Sequence, residues 1–342
     1  MERTFGWGII GAGVISSSHA KALQANAPRV RLVGVCDVIP EKAEKLKNEY
    51  GAEFATASMA ELLARPDIDC VSICTPSGEH GDCTIAAARA GKHILCEKPL
   101  DITREKMDEV LAVVRQAGVK LGCVFQSRTS PLNRQLKQMI AAGEFGKILY
   151  ADMAGKDYRS PAYYQTADWR GTIRYDRGCL MNQGIHSLDL FLWLVAQPDV
   201  EVAGFWHHLV RDIEAEDTIV GSLRFANGAL GSILYATSSS RERLPRTIGI
   251  HGSEGNVLLA GRKPTVERRG EELQLEGEAE VVSSGQTSPL QGHAHHVHDL
   301  IEAIEQNRDP EITGSSARTA VDVALALYQA SDTRSVVRLA QA

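Results

Sequence analysis

The chain has no surplus of positive charge: 37 Lys and Arg stand against 43 Asp and Glu in 342 residues, a formal net charge of −6. Neutralising a phosphate backbone needs the opposite balance, so nucleic-acid binding is excluded as the main task. It has no long apolar run either. The densest, Leu188 to Ala196, contains Asp189 and is about half of the ~20 residues a membrane span requires. MERTFGWGIIGAG enters a strand-like run directly, without a signal-peptide layout. Cysteine is sparse and unpatterned: Cys36, Cys70, Cys74, Cys83, Cys96, Cys123 and Cys179 are odd in number and form no C-x-x-C pair. That excludes a disulfide framework or a cysteine zinc site and predicts reduced, buried thiols in a cytoplasmic protein. There is no internal repeat and no low-complexity tail. What remains is globular composition, 44% hydrophobic and 23% charged, in a chain long enough for two domains.

The first 125 residues alternate β-branched runs with helical patterns. Strands are predicted at 5–10, 30–37, 70–75, 93–97 and 120–125, with a short extended piece near Phe54. Helices are predicted at 14–25, 40–50, 59–63, 81–90 and 103–117. This alternation predicts a doubly wound parallel sheet, the Rossmann arrangement, whose strands are covered on both faces and therefore almost continuously apolar. From residue 126 to 342 the texture changes. Strands at 147–157, 200–210, 218–225, 229–238 and 247–252 follow one another across Gly- or Asn-containing turns, Asn227-Gly228 being a hairpin pair. Helices are predicted at 133–142, 180–196, 297–306 and 316–330, and 270–292 reads as polar and turn-rich. The expected fold is α/β: an N-terminal Rossmann domain, then an α+β substrate domain with a large, mostly antiparallel open sheet. The last helix is a candidate to pack back on the first domain. An open sheet face asks for a cover, which predicts a homo-oligomer.

GIIGAGVISSSHA sets Gly11, Gly13 and Ser16 in a G-x-G-x-x-S arrangement between strand and helix. Gly11 suits the tight turn, Gly13 the close approach of a pyrophosphate, and Val14 and Ile15 complete the loop at the helix N-terminus. Asp37 ends the next strand, 24 residues after Gly13, at the spacing of a ribose-binding acid. A carboxylate there repels a 2′-phosphate, and Val38, Ile39 and Pro40 offer no guanidinium, so NAD is expected over NADP.

Two later strands end on the same ligand-binding edge. Cys74-Thr75-Pro76-Ser77 ends one, with His80 after it, and Glu97-Lys98-Pro99 ends the next. A lysine so placed can hydrogen-bond a substrate hydroxyl or lose its proton through desolvation. GAGVIS with Asp37, TPSGEH, and above all CEKPL resemble the Gfo/Idh/MocA oxidoreductases, the family of glucose–fructose oxidoreductases and inositol dehydrogenases. WRGTIRYDRGCLMNQGIHSLDLFLWL and FANGALGSI with IHGSEGNV extend the resemblance over nearly the whole chain. It implies that Lys98 sits beside the nicotinamide and the reacting hydroxyl. It also implies that Cys74 to Ser77, His80, Glu97, Gln126 and Trp169-Arg170 lie at the cofactor, and that the chain assembles as a homodimer or homotetramer.

The family's usual D-x-G-x-H-x-x-D is here Asn182-Gln183-Gly184-Ile185-His186-Ser187-Leu188-Asp189. On a continuous α-helix, Asn182, His186 and Asp189 would share one stripe beside an apolar stripe of Met181, Ile185, Leu188, Leu192 and Val195. His186, with an ordinary imidazole pKa near 6.5, suits the proton acceptor. The resemblance implies that Asp189 meets substrate hydroxyls, while Asn182 can bind a hydroxyl or orient the imidazole. Tyr158, Tyr163 and Tyr164 lie where a substrate loop is expected, with core packing an equal reading for the three rings. An amide at 182 carries no charge, so a proton-accepting role at that position is lost. The variant M-N-Q-G-x-H resembles a subgroup with nucleotide-sugar dehydrogenases. His293, His295, His296 and His298 in GHAHHVHDL lack a completing ligand, so no metal is expected; the segment reads first as a solvated helix start and second as one that brings His293 to the substrate cleft.

The resulting expectation is an NAD-dependent enzyme moving a hydride between a secondary alcohol of a sugar, cyclitol or sugar derivative and nicotinamide. Lys98 and His186 are its catalytic residues, and small polyols rather than nucleic acid or membrane are its partners. Two other readings use the same scaffold. An NAD-dependent glycoside hydrolase with transient oxidation releases no net NADH, and a non-catalytic NAD-binding regulator turns over nothing.

Overall fold

The computed structural model describes residues 3–196, 200–239, 244–261, 263–277 and 292–339. In chain order the elements begin β1 (Phe5–Ile10), α1 (Ser16–Ala25), β2 (Val30–Cys36), α2 (Pro40–Tyr50), β3 (Phe54–Thr56), α3 (Met59–Ala64) and β4 (Cys70–Ile73). They continue with α4 (His80–Arg89), β5 (His93–Cys96), α5 (Arg104–Ala117), β6 (Leu121–Cys123), α6 (Pro131–Ala141), β7 (Ile148–Lys156), α7 (Pro161–Tyr164) and α8 (Ile185–Val195). Then come β8 (Val200–His207), β9 (Thr218–Phe225), β10 (Leu230–Ala236), β11 (Thr247–Gly252), β12 (Gly255–Ala260), β13 (Pro264–Arg268) and β14 (Glu271–Leu273). The series closes with α9 (His293–Glu305), α10 (Gly314–Thr333) and β15 (Val337–Leu339). Two compact units divide them. The first holds the chain through Gln126 and the described residues 292–318, and the second holds 127–277 and the described residues from Thr319.

In the first unit, β1 to β6 form a parallel sheet in the order β3-β2-β1-β4-β5-β6. This is the doubly wound order, in which the progression of strands across the sheet reverses between β1 and β4 and opens a crevice at their carboxyl ends. Every residue of β1 and β4 is buried, as helices on both faces require. Local chemistry sets the helix ends. Thr103 accepts from the Lys106 N–H at the start of α5, and Gly51 and Gly118 close α2 and α5 in the left-handed conformation. Residues 292–318 group with this unit, although the sequence reading places them after the boundary at 126. The cause is apolar: Ala294, Val297, Leu300 and Ile301 of α9 join Phe5, Trp7, Ile9 and Leu23 in one core cluster. Asn26 fastens the contact by donating to the Ala22 and Ala294 carbonyls at 2.8 and 3.0 Å. The segment read as a solvated helix start is therefore largely inside, with His296 4% exposed.

The second unit is a nine-stranded sheet, β14-β13-β12-β11-β7-β10-β9-β8-β15. Only the central β7–β10 pair is parallel. Strands β12 to β15 were not among the expected elements: β12 to β14 are short, and β15 follows directly on a long helix. Ile219, Leu223, Ile233, Ile248, Ile250, Val257 and Leu259 are buried. The other face exposes Tyr150, Phe205, Val220, Leu230 and Leu258.

α8 is not entered as a regular α-helix. Leu180–Gly184 forms a π-turn ahead of it, a widened turn often found at functional sites. Met181, Ile185, Leu188, Leu192 and Val195 are all buried, as the apolar stripe predicts. The widened turn breaks the expected alignment of Asn182 with His186 and Asp189. Asp189 itself is 1% exposed and accepts from Arg128 through both oxygens, the Nε bond being 2.7 Å. The expectation that it meets substrate is corrected: the carboxylate is a buried anchor that ties α8 to the turn after β6. Glu216 holds the other end of the π-turn. Its Oε1 accepts the Leu180 N–H at 3.0 Å and the Tyr328 hydroxyl at 2.9 Å.

Two consequences are measurable. Replacing Arg128 by Ala leaves the Asp189 carboxyl buried without its partner and should cost about 3–5 kcal/mol in chemical denaturation, most of it recovered when Asp189 is also made apolar. Burial raises the Glu216 pKa from 4.5 to about 7. The folded chain thus binds this proton more tightly than the unfolded one. Its stabilisation is complete below about pH 4.5 and is lost as pH rises through about 7, a change of roughly 3 kcal/mol. Glu216→Gln keeps an acceptor for Leu180 and Tyr328 and should gain stability over the parent across that window; parallel pH curves would contradict the assignment.

Candidate active site

At the carboxyl edge of the first sheet, Gly11 has φ 94°, and a Cβ there would lie 2.6 Å from the Cys74 carbonyl. The β1–α1 turn therefore presses against the end of β4 in a way only glycine permits. Gly13 is the opposite case. A Cβ on it would meet nothing within 4 Å, so the backbone faces open space. Val14 is 88% exposed, and Ile15, at the N-cap of α1, provides no side-chain cap. Open backbone at an uncapped helix N-terminus fits a diphosphate. Asp37 is half-buried and fixed, its Oδ2 accepting from the Ala12 N–H at 2.7 Å and its Oδ1 from the Ile39 N–H at 2.8 Å. The carboxylate thus braces the glycine turn while standing at the end of β2, where a ribose would lie.

The two later strand ends are knitted together from below. His80, 2% exposed, lies between the Pro99 carbonyl (Nδ1, 2.6 Å) and the Thr75 carbonyl (Nε2, 2.9 Å). Burial lowers its pKa, opposed by these two carbonyls and by the Glu97 and Asp101 carboxylates. Cys74 is 5% exposed and burial pushes its thiol pKa well up, so it stays a thiol. Thr75 and Pro76 are half-buried, and Ser77 starts a 3-10 turn. Glu97 is 4% exposed and accepts from His19 Nε2 (3.0 Å), His293 Nε2 (2.8 Å) and the Lys98 N–H (3.2 Å). Burial works against its charge, but the two imidazole donors outweigh it and hold the carboxyl well below the usual range. Gln126, 4% exposed, brings its amide nitrogen to 3.3 Å from His293 Nε2. The side chains of Cys74, His80, Glu97 and Gln126, expected at the cofactor, are therefore buried against protein partners and shape the edge from beneath. Lys98 is half-buried at the end of β5.

In the second unit, His186 is half-buried in the first turn of α8. Asn182 donates to Asp176 and accepts from Gln183 Nε2 at 2.9 Å, and Gln183 also donates to the Tyr163 hydroxyl at 2.9 Å. Arg170 donates to the same hydroxyl and lies over the Trp169 ring at 4.5 Å. Trp169, Arg170 and Asn182 thus belong to one network. Tyr158 stands apart, with the Arg211 guanidinium 5.3 Å from its ring centroid. Asp176 and Gln183 were not singled out from the sequence as members of a polar site, because no spacing rule links a loop carboxylate to a π-turn. His19 and His293 were missed as partners of Glu97 because the link spans 78 and 196 residues.

Among the described residues, His19, Glu97 and His293 are the set of metal-ligand type, with ligand atoms within 4.8 Å of one another. Their hydrogen bonds account for that proximity.

Known proteins agree with this construction. The family model for GFO/IDH/MocA, described as an oxidoreductase family with an NAD-binding Rossmann fold, matches residues 5–125, and the GFO/IDH/MocA C-terminal domain matches 133–258. Inositol 2-dehydrogenase of Rhizobium meliloti is 28% identical over 94% of this chain and 95% of its own length. The NAD(+)-dependent scyllo-inositol 2-dehydrogenase of Bacillus subtilis is 27% identical over 95% of this chain and 94% of its own. In crystal form, the WlbA dehydrogenase of Bordetella pertussis, in complex with NADH and UDP-GlcNAcA, is 30% identical with a TM-score of 0.87, covering 99% of this chain and 100% of that one. The chain belongs to the GFO/IDH/MocA family and is an oxidoreductase built on an NAD-binding Rossmann unit.

Proposed function

We propose that the protein oxidises or reduces a secondary alcohol of a sugar, cyclitol or sugar derivative, with Lys98 and His186 acting on the hydroxyl. The observation that carries this is the anchoring of Lys98. Its main chain is held by Glu97 at the end of β5, on the edge that presents the open backbone of Gly13 and the fixed carboxylate of Asp37. Ligands of open α/β sheets bind on that edge. Bound nicotinamide supplies a hydride acceptor at C4, or a donor in the reverse direction. Lys98 holds and polarises the substrate oxygen, and His186 takes the hydroxyl proton as the carbon–oxygen double bond forms. Asn182, fixed by Asp176 and Gln183, orients the substrate, as does Tyr158. Trp169 and Arg170 are assigned to the cofactor side, and the first unit grips the dinucleotide through Gly11, Gly13, Val14 and Ile15.

The relatives support two substrate classes. Inositols are named for the curated proteins, and a nucleotide sugar is named for the WlbA complex. The M-N-Q-G-x-H run favours testing nucleotide sugars beside polyols. We further infer a reducing, cytoplasmic setting from seven cysteines that are all buried and form no disulfide with one another. A second copy of the chain is our assignment for the face bearing Tyr150, Phe205, Val220, Leu230 and Leu258.

Two experiments test this reading. Lys98→Ala should lower kcat by roughly 10²–10⁴-fold while leaving the NAD Kd within a few-fold, measured by NADH absorbance and by titration; unchanged turnover removes the mechanism. Asp37 should give NAD at least about a tenfold advantage over NADP in kcat/KM, which Asp37→Ala narrows. A preference for NADP would overturn the cofactor assignment.

A further inference from the structure

Glu97 sits where three elements of the first unit meet: the end of β5, α1 with His19, and α9 with His293. A carboxylate only accepts, so each imidazole facing it must carry its proton on Nε2. For His19 the proton positions follow from two links further back. The Trp7 indole can only donate, and its Nε1 lies 2.9 Å from Ser72 Oγ. The Ser72 hydrogen is then directed to His19 Nδ1, also at 2.9 Å. This leaves His19 neutral with Nε2–H aimed at Glu97. Burial lowers the His19 pKa against the pull of Glu97, which agrees with that form. His293 packs edge-on to His19 with ring centroids 4.8 Å apart, and both meet the same oxygen, Oε1. The second oxygen is thereby turned to the Lys98 N–H. The chain Trp7–Ser72–His19–Glu97–Lys98 is directed at every link, and His293 is its second donor.

We propose that Glu97 is a positioning residue for Lys98, held in place by paired N–H donors from His19 and His293. It need not touch substrate or cofactor. It fixes the main chain of residue 98 and places a negative charge next to it. The proposal rests on the reading of Lys98 given above, but it has its own failure mode. The indole, hydroxyl and imidazole chain explains polar side chains in a core that packing alone would fill with apolar ones.

The test uses the whole chain. Glu97→Gln preserves shape but not charge, His293→Gln keeps a donor near the Nε2 position, and His293→Leu keeps bulk without a donor. The substrate is whichever of myo-inositol, scyllo-inositol, levoglucosan or a UDP-sugar gives the fastest NADH signal. Glu97→Gln and His293→Leu should lower kcat by roughly 10–100-fold with the NADH Kd within about twofold, and His293→Gln should restore most of the loss. Independently of turnover, ¹⁵N spectra should show His19 as the neutral Nε2–H form in the parent. The Lys98 amide proton should move upfield in Glu97→Gln as its carboxylate acceptor is lost. Unaltered kcat and amide shift in Glu97→Gln would overturn the positioning role even if Lys98→Ala is inactive. Equal damage from His293→Gln and His293→Leu would reduce the network to packing. About one transition-metal ion per chain, lost in His293→Leu, would replace the hydrogen-bond reading by a metal site. An active Lys98→Ala would instead sink the catalytic reading itself.

Discussion

A carboxylate inside a protein persists only where N–H donors replace the water it has lost, and that constraint at Glu97 organises the first unit. One donor comes from α1, the first helix, and the other from α9, whose His293 lies 196 residues beyond Glu97. The return of the chain to the Rossmann unit is therefore both apolar and polar: α9 completes the core around Trp7 and Leu23 and delivers an imidazole to the active edge. His296, one turn on, shows what happens without such a partner. Burial and the neighbouring histidines push it down to about 3, so it is neutral, and its Nε2 has no hydrogen-bond partner.

The second unit meets the same constraint with a different partner. Asp189 is neutralised by a guanidinium that matches both its oxygens, and burial still raises its pKa against that pull. Glu216 instead receives a backbone N–H and a tyrosine hydroxyl, and burial raises its pKa to about 7. The π-turn lies between these two anchors. Its widened geometry is held at Leu180 by Glu216 and at the far end by the Arg128–Asp189 pair.

How much could be read from the amino acids follows from the range of the interactions. The elements of the first 125 residues were legible to within about two residues, because β1, β4 and β5 are buried by helices on both faces and announce themselves as apolar runs. FANGAL marked its hairpin for the same local reason. The two outermost strands on one side of the second sheet, β13 and β14, have only five and three residues, and Pro264 starts the first of them, so no periodicity could develop. The row of Asn182, His186 and Asp189 was misread because spacing was counted on an α-helix. A π-turn alters that count, and nothing in LMNQG advertises one. Asp189 then looked functional although its partner, Arg128, lies 61 residues away. CEKPL pointed to the correct edge, but not to His19 and His293, whose relation to Glu97 is purely tertiary.

The amide at 182 gains its meaning from the same comparison of local and distant partners. Read alone, Asn182 is a family carboxylate stripped of charge. In the folded unit its Nδ2 donates to Asp176, a carboxylate six residues earlier that is 2% exposed and also accepts the Gly171 N–H at 2.8 Å. Gln183 then occupies the amide oxygen and reaches on to the Tyr163 hydroxyl. A charge that would stand at position 182 has in effect been moved back into the loop, where donors hold it. An aspartate at 182 would set two carboxylates against each other in a largely buried site, an arrangement in which one must be protonated. With Asp176 already present, the amide is the side chain that lets this network ionise only once.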